Sequence, residues 1–398
     1  MKRGGAVLSA ALAQLDAARL RRRRATITAF GAAGHRALLE VEGATLVDFS
    51  SNDYLGLARH PALVRAMSEC AAVSGAGSAA SHLISGHGTE HARLEEALAA
   101  FCGRERALLF STGYMANLAV MTALAGRGER VLLDRLCHAS LIDGARLSGA
   151  ELKRYGHADA ASAVRQLVAD GAHTVLLATD GVFSMDGDLA PLPELARAAR
   201  AQQSWLIVDD AHGLGVLGAT GRGTLEHYAL SAEDVPVLIG TLGKAFGSFG
   251  AFVAGSGELI EFLLQKARPY IYTTALPQPV AAASRRALAV AAEEGWRREH
   301  LRALIARFRA LSLAAGVPLA SSLTPIQPVL IGEAAAALAV QEELRAAGFL
   351  AVAIRPPTVP PGTARLRVTL TAVHSAAQVE ELAVHLARAC ERQRADPV

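Results

Sequence analysis

The chain has 398 residues, 52% of them hydrophobic and 19% charged, with a formal net charge of +3. That composition excludes a disordered chain, and no apolar run approaches the roughly 20 residues that a membrane span needs, so a soluble, cytoplasmic protein is expected. Cys70, Cys102, Cys137 and Cys390 are scattered without C-x-x-C spacing, which argues against a zinc site or a disulfide framework, and no metal is expected.

Basic residues concentrate at the start: residues 1–24 hold seven Lys or Arg against one Asp, leaving 33 basic and 36 acidic residues beyond them. Leu8, Leu12 and Leu15 at helical spacing predict a docked amphipathic helix. It should end in the arginines of "RLRRRR", Arg19 to Arg24, which suit a C-terminal dipole better than they make a nucleic-acid or membrane arm. "ALLEVEGATLVDFS" predicts two short strands around Glu42-Gly43, followed by the turn-rich "SNDYLGL".

A strand-helix rhythm then begins. "ALLFS" precedes a helix from about Gly113, "RVLLD" one near His138, and "TVLLATD" one near Leu192; "WLIVDD" runs into a glycine-rich loop, and "VPVLIG" is a further buried strand. This alternation implies an α/β fold, a mostly parallel sheet covered by helices on both faces, with functional residues in the loops after strand C-termini. From about Gln278 the pattern changes to two long helical stretches, Val280 to Glu294 and Arg297 to Ala315. Strands near "QPVLIG" and "ARLRVTL" flank a helix from about Ala335 to Ala347, and a last helix runs from about Ser375 to Arg394. The expected division is an N-terminal helix with short strands over 1–45, a large domain over 46–285 and a small α+β domain over 286–398.

In "WLIVDDAHGLG", Trp205 to Gly215, a carboxylate leaves a buried strand and a histidine follows three residues later. Such a pair suits metal ligands, a hydrolase dyad or a partner for a protonated ring nitrogen. Asp210 beside it reads as a helix cap or a surface charge. Lys244 follows Asp209 by 35 residues, inside "TLGKAFGSFG". An amine that forms an imine must be partly neutral, and burial among small residues disfavours its cation. Small neighbours also let a flat cofactor approach the backbone. "MDGD" lacks the ligand pattern of a calcium loop, and "GLGVLG", Gly213 to Gly218, has G-x-G-x-x-G spacing without a helix opening after it.

These stretches stand in order with "FSSNDYLGL", "ALLFSTGYMAN", "DRLCHASLIDGARLS", "DGVFSMDGDLAPL", "VDDAHGLGVLGATGRG" and "IRPPTVPPGTARLRVTLTA" across nearly the whole chain. Together they resemble the α-oxoamine synthases, fold type I pyridoxal-phosphate (PLP) enzymes. The resemblance implies a large PLP-binding domain, a smaller α+β C-terminal domain and an N-terminal helical segment. It makes Lys244 the residue that bonds the cofactor's aldehyde carbon and Asp209 the partner of its pyridine nitrogen. His212 would bond the phenolic oxygen, and His138 would stack on the ring and act on substrate, so that Lys244, His138 and Asp209 form the catalytic set. Gly113 and Tyr114, at a predicted helix start, suit the phosphate; the family adds Thr241 as a phosphate ligand and Ser184 as a further cofactor contact.

On the substrate side the resemblance implies Thr358, an arginine at the end of the first helix (Arg21, with Arg22 as the alternative register), and Arg367 for an amino-acid carboxylate. In "RLR" one of Arg365 and Arg367 can face water instead. The implied activity is a decarboxylative condensation of an amino acid with an acyl thioester. "IRPPTVPPGTARLR" points to the branch that takes L-alanine and a pimeloyl thioester, on coenzyme A or acyl carrier protein, rather than glycine or serine. A homodimer is implied, with "YIYTTALPQP", Tyr270 to Pro279, reaching the partner's phosphate, and no nucleic-acid partner. One departure is "GSAAS", Gly77 to Ser81, followed by His82, where many relatives carry Gly-Ser-Gly-Gly-Ser.

Overall fold

Aliphatic runs of four to seven residues form most strands of the computed structural model, which describes residues 2–18, 20–22, 24–31, 37–168 and 174–395. The chain divides into two compact units: Asn52–Ser184 with Asp188–Glu299, and Met1–Ser51 with Met185–Gly187 and His300–Val398. In chain order the smaller unit contributes β1 (Ile27–Phe30), β2 (Leu38–Val41) and β3 (Ala44–Asp48). The larger contributes β4 (Arg106–Phe110), β5 (Arg130–Asp134), β6 (Glu151–Tyr155), β7 (Thr174–Asp180), β8 (Trp205–Asp209), β9 (Val237–Thr241) and β10 (Ala251–Gly255). The smaller unit resumes with β11 (Ile326–Gly332), β12 (Phe349–Leu350), β13 (Val352–Ile354) and β14 (Ala364–Thr369).

The larger unit is one sheet in the order β4-β10-β9-β8-β7-β5-β6. The contiguous pairs from β9 to β6 are parallel, and β10 is antiparallel to both of its neighbours, so β4 runs in the common direction. Successive residues serve opposite faces. Val131, Leu133, Ile207 and Ile239 enter one core, while Leu132, Leu206, Val208 and Leu238 enter the other. Burial on both sides is why these strands read as unbroken apolar runs. The helices Gly113–Leu124, Ala139–Ser148 and Leu192–Ala201 follow their strands as expected. Two strands of this sheet escaped the sequence reading, as did β1, β12 and β13 of the smaller unit. β6, "ELKRY", is an edge strand with mostly exposed side chains, and β10, "AFVAG", is short and made largely of small residues.

In the smaller unit β2 and β3 pair antiparallel around Glu42 and Gly43, whose φ values of 53° and 82° are those of a two-residue hairpin turn. β1 and the parallel β12 complete that sheet, and β11-β14-β13 forms a second, antiparallel one. Helices Ala334–Ala346 and Ala376–Ala395 stand where expected, as do Gln278–Glu293 and Trp296–Ala314.

The N-terminal helix forms over Lys2–Ala17, but it is not docked among the described residues: Val7, Leu8, Leu12 and Leu15 are exposed. It also stops before the arginines rather than in them, with no basic residue in its last turn. Like charges three and four apart oppose helix, and Arg21 instead donates to Asp16 at 2.6 Å. Arg19 and Arg23 of that run lie outside the described residues. No described helix is long and apolar enough to cross a membrane.

Candidate active site

The C-terminal ends of β4, β5, β7, β8 and β9 feed a cavity of about 210 Å³ in the larger unit. Gly113 and Tyr114 open the helix after β4, His138 follows β5, Ser184 follows β7, Asp209 ends β8 with His212 beyond it, and Thr241 ends β9 with Lys244 three residues on. All eight line the cavity, joined by Asn117 and Asp180.

Asp209 is nearly buried and accepts from Asn117 Nδ2 at 2.7 Å and from the Ala211 N–H at 3.1 Å, so each carboxylate oxygen has a donor. Asn117 also donates to Ser140 Oγ at 2.8 Å. Strand register sets Asp180 directly beside Asp209. Burial, then the Asp209 charge, pushes the Asp180 carboxyl well above its usual range, against the donated His138 N–H. Asp210 corrects an expectation. It does cap, accepting from Thr224 N at 2.7 Å at the start of the short helix Thr224–His227, yet it is fully buried rather than a surface charge. Burial pushes its carboxyl up to about 7. A Cβ on Gly181, Gly213 or Gly223 would come closer than 3.0 Å to that carboxylate. The glycine spacing of "GLGVLG" therefore serves packing, and no helix opens within it.

Lys244 Nζ lies 3.0 Å from His212 Nε2, and His212 Nδ1 lies 2.6 Å from the hydroxyl of Tyr54, which is fully buried and lies 3.3 Å from Asn52 Oδ1. Lys244 itself is half-buried. Of its small neighbours, Gly247, at φ +61°, makes room for the backbone of Leu57 and Ala58, which a Cβ there would strike. That glycine thus seats the "NDYLGL" segment, and Tyr54 with it, against the lysine loop.

His138 is not a core histidine: its ring is exposed at the cavity. It caps the helix Ala139–Ser148, with Nδ1 2.6 Å from Ser140 Oγ, and its backbone N–H donates to the Asp180 carboxylate at 3.2 Å. The surrounding protein holds its pKa below the usual histidine range; Asp209 opposes that shift and Lys244 adds to it.

At the start of the helix Gly113–Leu124, Thr112 Oγ1 takes the Met115 N–H and Thr112 O the Ala116 N–H. The two earlier N–H groups, of Gly113 and Tyr114, have no acceptor within the helix. A Cβ on Gly113 would meet no protein atom within 4 Å. Thr241 Oγ1 donates to Gly250 O at 3.0 Å and accepts the Gly243 N–H at 3.2 Å. An anion cradle with open space above it, a buried carboxylate, an amine and two imidazoles in one cavity fit PLP, with its phosphate, ring nitrogen, aldehyde and phenolic oxygen.

The substrate candidates lie in the smaller unit. Arg22 Nη2 donates to Thr358 Oγ1 at 3.2 Å, whereas Arg21 pairs with Asp16. Arg365 and Arg367 are both buried, so neither faces water. Two residues apart, they share a face of a strand buried throughout. Arg365 pairs with Asp186 at 2.5 Å, and Arg367 Nη1 donates to Thr369 Oγ1 at 3.0 Å.

Tyr54, Asn117 and Asp180 were missed from sequence. Asp180 was findable by the strand-end rule that found Asp209, and Asn117 by its place one helical turn beyond Gly113. Tyr54 gave no signal, since its partner is 158 residues away.

A family model described as aminotransferase class I and II matches residues 44–386. An 8-amino-7-oxononanoate synthase of Stutzerimonas stutzeri (strain A1501) is 59% identical over 87% of this chain and 88% of its own length. Among solved structures, an 8-amino-7-oxononanoate synthase from Francisella tularensis is 32% identical, with a TM-score of 0.77 over 88% of this chain and 99% of that one. Serine palmitoyltransferase from S. paucimobilis, carrying PLP with myriocin, is 28% identical, with a TM-score of 0.91 over 98% and 97%. The chain belongs to the class I and II aminotransferase family and, within it, to the 8-amino-7-oxononanoate synthases.

Proposed function

We propose that the chain condenses L-alanine with a pimeloyl thioester to give 8-amino-7-oxononanoate, CO2 and the free carrier thiol, in biotin biosynthesis. It is a PLP-dependent enzyme of the acyltransferase type. The observation that carries the chemistry is the meeting of Lys244, His212 and Asp209 around one cavity; the choice of substrates is supported by the synthases it resembles at 59% identity. Bound in the cavity, PLP supplies the electron sink that makes loss of a proton or of CO2 from an amino-acid carbon accessible.

The chain's own groups divide the remaining work. Asp209, with a donor on each oxygen, holds the pyridine nitrogen. The N–H groups of Gly113 and Tyr114 with the Thr241 hydroxyl hold the phosphate, and Ser184 adds a contact. His212 Nε2 holds the phenolic oxygen, backed by Tyr54. Lys244 Nζ keeps the aldehyde between turnovers and, once L-alanine is in place, takes its α-proton as general base. His138, exposed to the cavity, covers the ring and acts on the substrate. Arg367 bonds the alanine carboxylate. Arg22, which already bonds Thr358, is favoured over Arg21 for the pimeloyl carboxylate. The working form is a cytoplasmic homodimer with sites between its subunits, and coenzyme A or acyl carrier protein delivers the acyl group.

The test is product analysis by mass spectrometry. Alanine, glycine and serine are each paired with pimeloyl-CoA, pimeloyl-acyl carrier protein, acetyl-CoA and palmitoyl-CoA. Preference for alanine with a pimeloyl donor is expected; preference for glycine, or for serine with palmitoyl-CoA, overturns the assignment.

A further inference from the structure

We propose that His82, His87 and His91 form a binding site for one divalent transition-metal ion, Zn²⁺ before others. None of the three lines the cavity described above. Their ligand nitrogens all lie within 4.8 Å of one another, and the Nδ1 atoms of His82 and His87 are 2.9 Å apart. Zinc–nitrogen bonds of about 2.0–2.1 Å at tetrahedral angles set ligand nitrogens about 3.3 Å apart, inside that range. The rings are arranged to match, with centroids 5.2, 5.0 and 5.5 Å apart.

The local fold explains the convergence. His82–Gly86 is a single π-helical turn closed by Gly86 N donating to Ser81 O at 2.9 Å. The turn is tight enough that a Cβ on Gly86 would strike the Ala80 and Ser81 carbonyls. His87 emerges from it beside His82, and His91 stands in the first turn of the helix Thr89–Cys102. No cysteine takes part and the spacing, H-x4-H-x3-H, spans a turn, a loop and a helix, which is why the sequence led to an expectation of no metal.

The outer contacts are those that metal-bound imidazoles keep. His91 Nε2 bonds Leu276 O, which leaves Nδ1 as the lone-pair nitrogen. His87 Nε2 lies 3.9 Å from the Glu95 carboxylate. The His82 ring stacks on Tyr270, with centroids 4.9 Å apart and planes 11° off parallel. Two bonds are exchanged on binding. The Gly88 N–H leaves His91 Nδ1, and the proton shared by His82 and His87 moves to an Nε2, for His87 the nitrogen that faces Glu95. The exposed His87 side admits the ion, and binding ties the unusual Gly77 to His82 segment to the helix behind it.

The experiment titrates chelator-stripped holoenzyme with Zn²⁺ in competition with a chromophoric chelator. One ion per chain is expected, with affinity lowered at least about tenfold in His82→Ala and His87→Ala. Zn²⁺ should raise the melting temperature of the wild type and not of His87→Ala. His227→Ala, an exposed histidine outside the cluster, should match the wild type. Absence of stoichiometric binding, or wild-type affinity in His87→Ala, overturns the proposal; because His87 is exposed, its loss does not threaten folding.

Discussion

Replacing His157 by glutamine removes a half-buried cation whose worth can be worked out from its surroundings. Its Nδ1 lies 3.1 Å from Asp134 Oδ1, at the end of β5, and its Nε2 2.8 Å from Asp188 Oδ2, in the loop that also carries Ser184. Burial disfavours the charged ring, but the two carboxylates outweigh it and push its pKa from 6.5 up to about 10. A pKa raised by folding stabilises the fold fully below about pH 6.5 and ceases to do so as pH climbs through 10. Linkage over that interval gives about 4 kcal/mol at pH 7 and about 1 kcal/mol at pH 9.5. The stability gap between wild type and His157→Gln should therefore shrink by about 3 kcal/mol between those pH values. Urea unfolding followed by tryptophan fluorescence, at matched protein and saturating cofactor concentration, measures the gap at each pH, and titrations common to both proteins cancel. A gap that stays constant to within about 1 kcal/mol would refute the raised pKa and the charge bridge with it.

Lys244→Ala should lower product formation about 10²- to 10⁴-fold, the range for losing a positioned base, while the folded content by circular dichroism stays that of the wild type. Gly113→Ala adds a methyl group that touches no protein atom within 4 Å; PLP titration should show weaker binding with an unchanged cofactor-free melting temperature, and unchanged PLP affinity would remove Gly113 from the phosphate site. Tyr54→Phe removes a hydroxyl 2.6 Å from His212; a single lost hydrogen bond of about 0.5–1.5 kcal/mol corresponds to a two- to tenfold fall in kcat/KM. Arg22→Ala should raise KM for the pimeloyl donor more than Arg21→Ala does, and equal effects would leave the Thr358 contact without a role in acyl binding.

What could be read from the sequence followed a physical divide. Strands buried on both faces announce themselves as apolar runs, and a parallel sheet gathers its loops at strand C-termini, so Asp209, His212 and Lys244 stood out in two local stretches, whereas Thr241 was named only through the family resemblance. Contacts made by tertiary pairing were not. β12 is two residues long and finds β3 about 300 positions away, and Tyr54 reaches His212 only because Gly247 lets its segment in. Asp210 was misjudged because adjacent residues at a strand end point to opposite sides, so that one acid faces the cavity and its neighbour the interior. The histidine cluster was invisible because the five-residue step from His82 to His87 fits neither helix nor strand period, and a π-turn closes the difference.

The three glycines that crowd Asp210 have a bearing on how this loop can evolve or be engineered. Gly181, Gly213 and Gly223 come from separate turns, yet each leaves a space that the same carboxylate fills. A glycine fingerprint there is the mould of a side chain rather than of a ligand. Substitution at 213 should succeed only with a change at 210, because a Cβ there meets Asp210 atoms alone; at 181 a Cβ would still strike Thr224 Oγ1 at 2.7 Å, and Gly223 keeps a φ of +86° that other residues rarely adopt. A combinatorial library across positions 181, 210, 213 and 223 would therefore show its strongest pairwise dependence between 210 and 213, in a segment whose glycines alone would suggest phosphate binding.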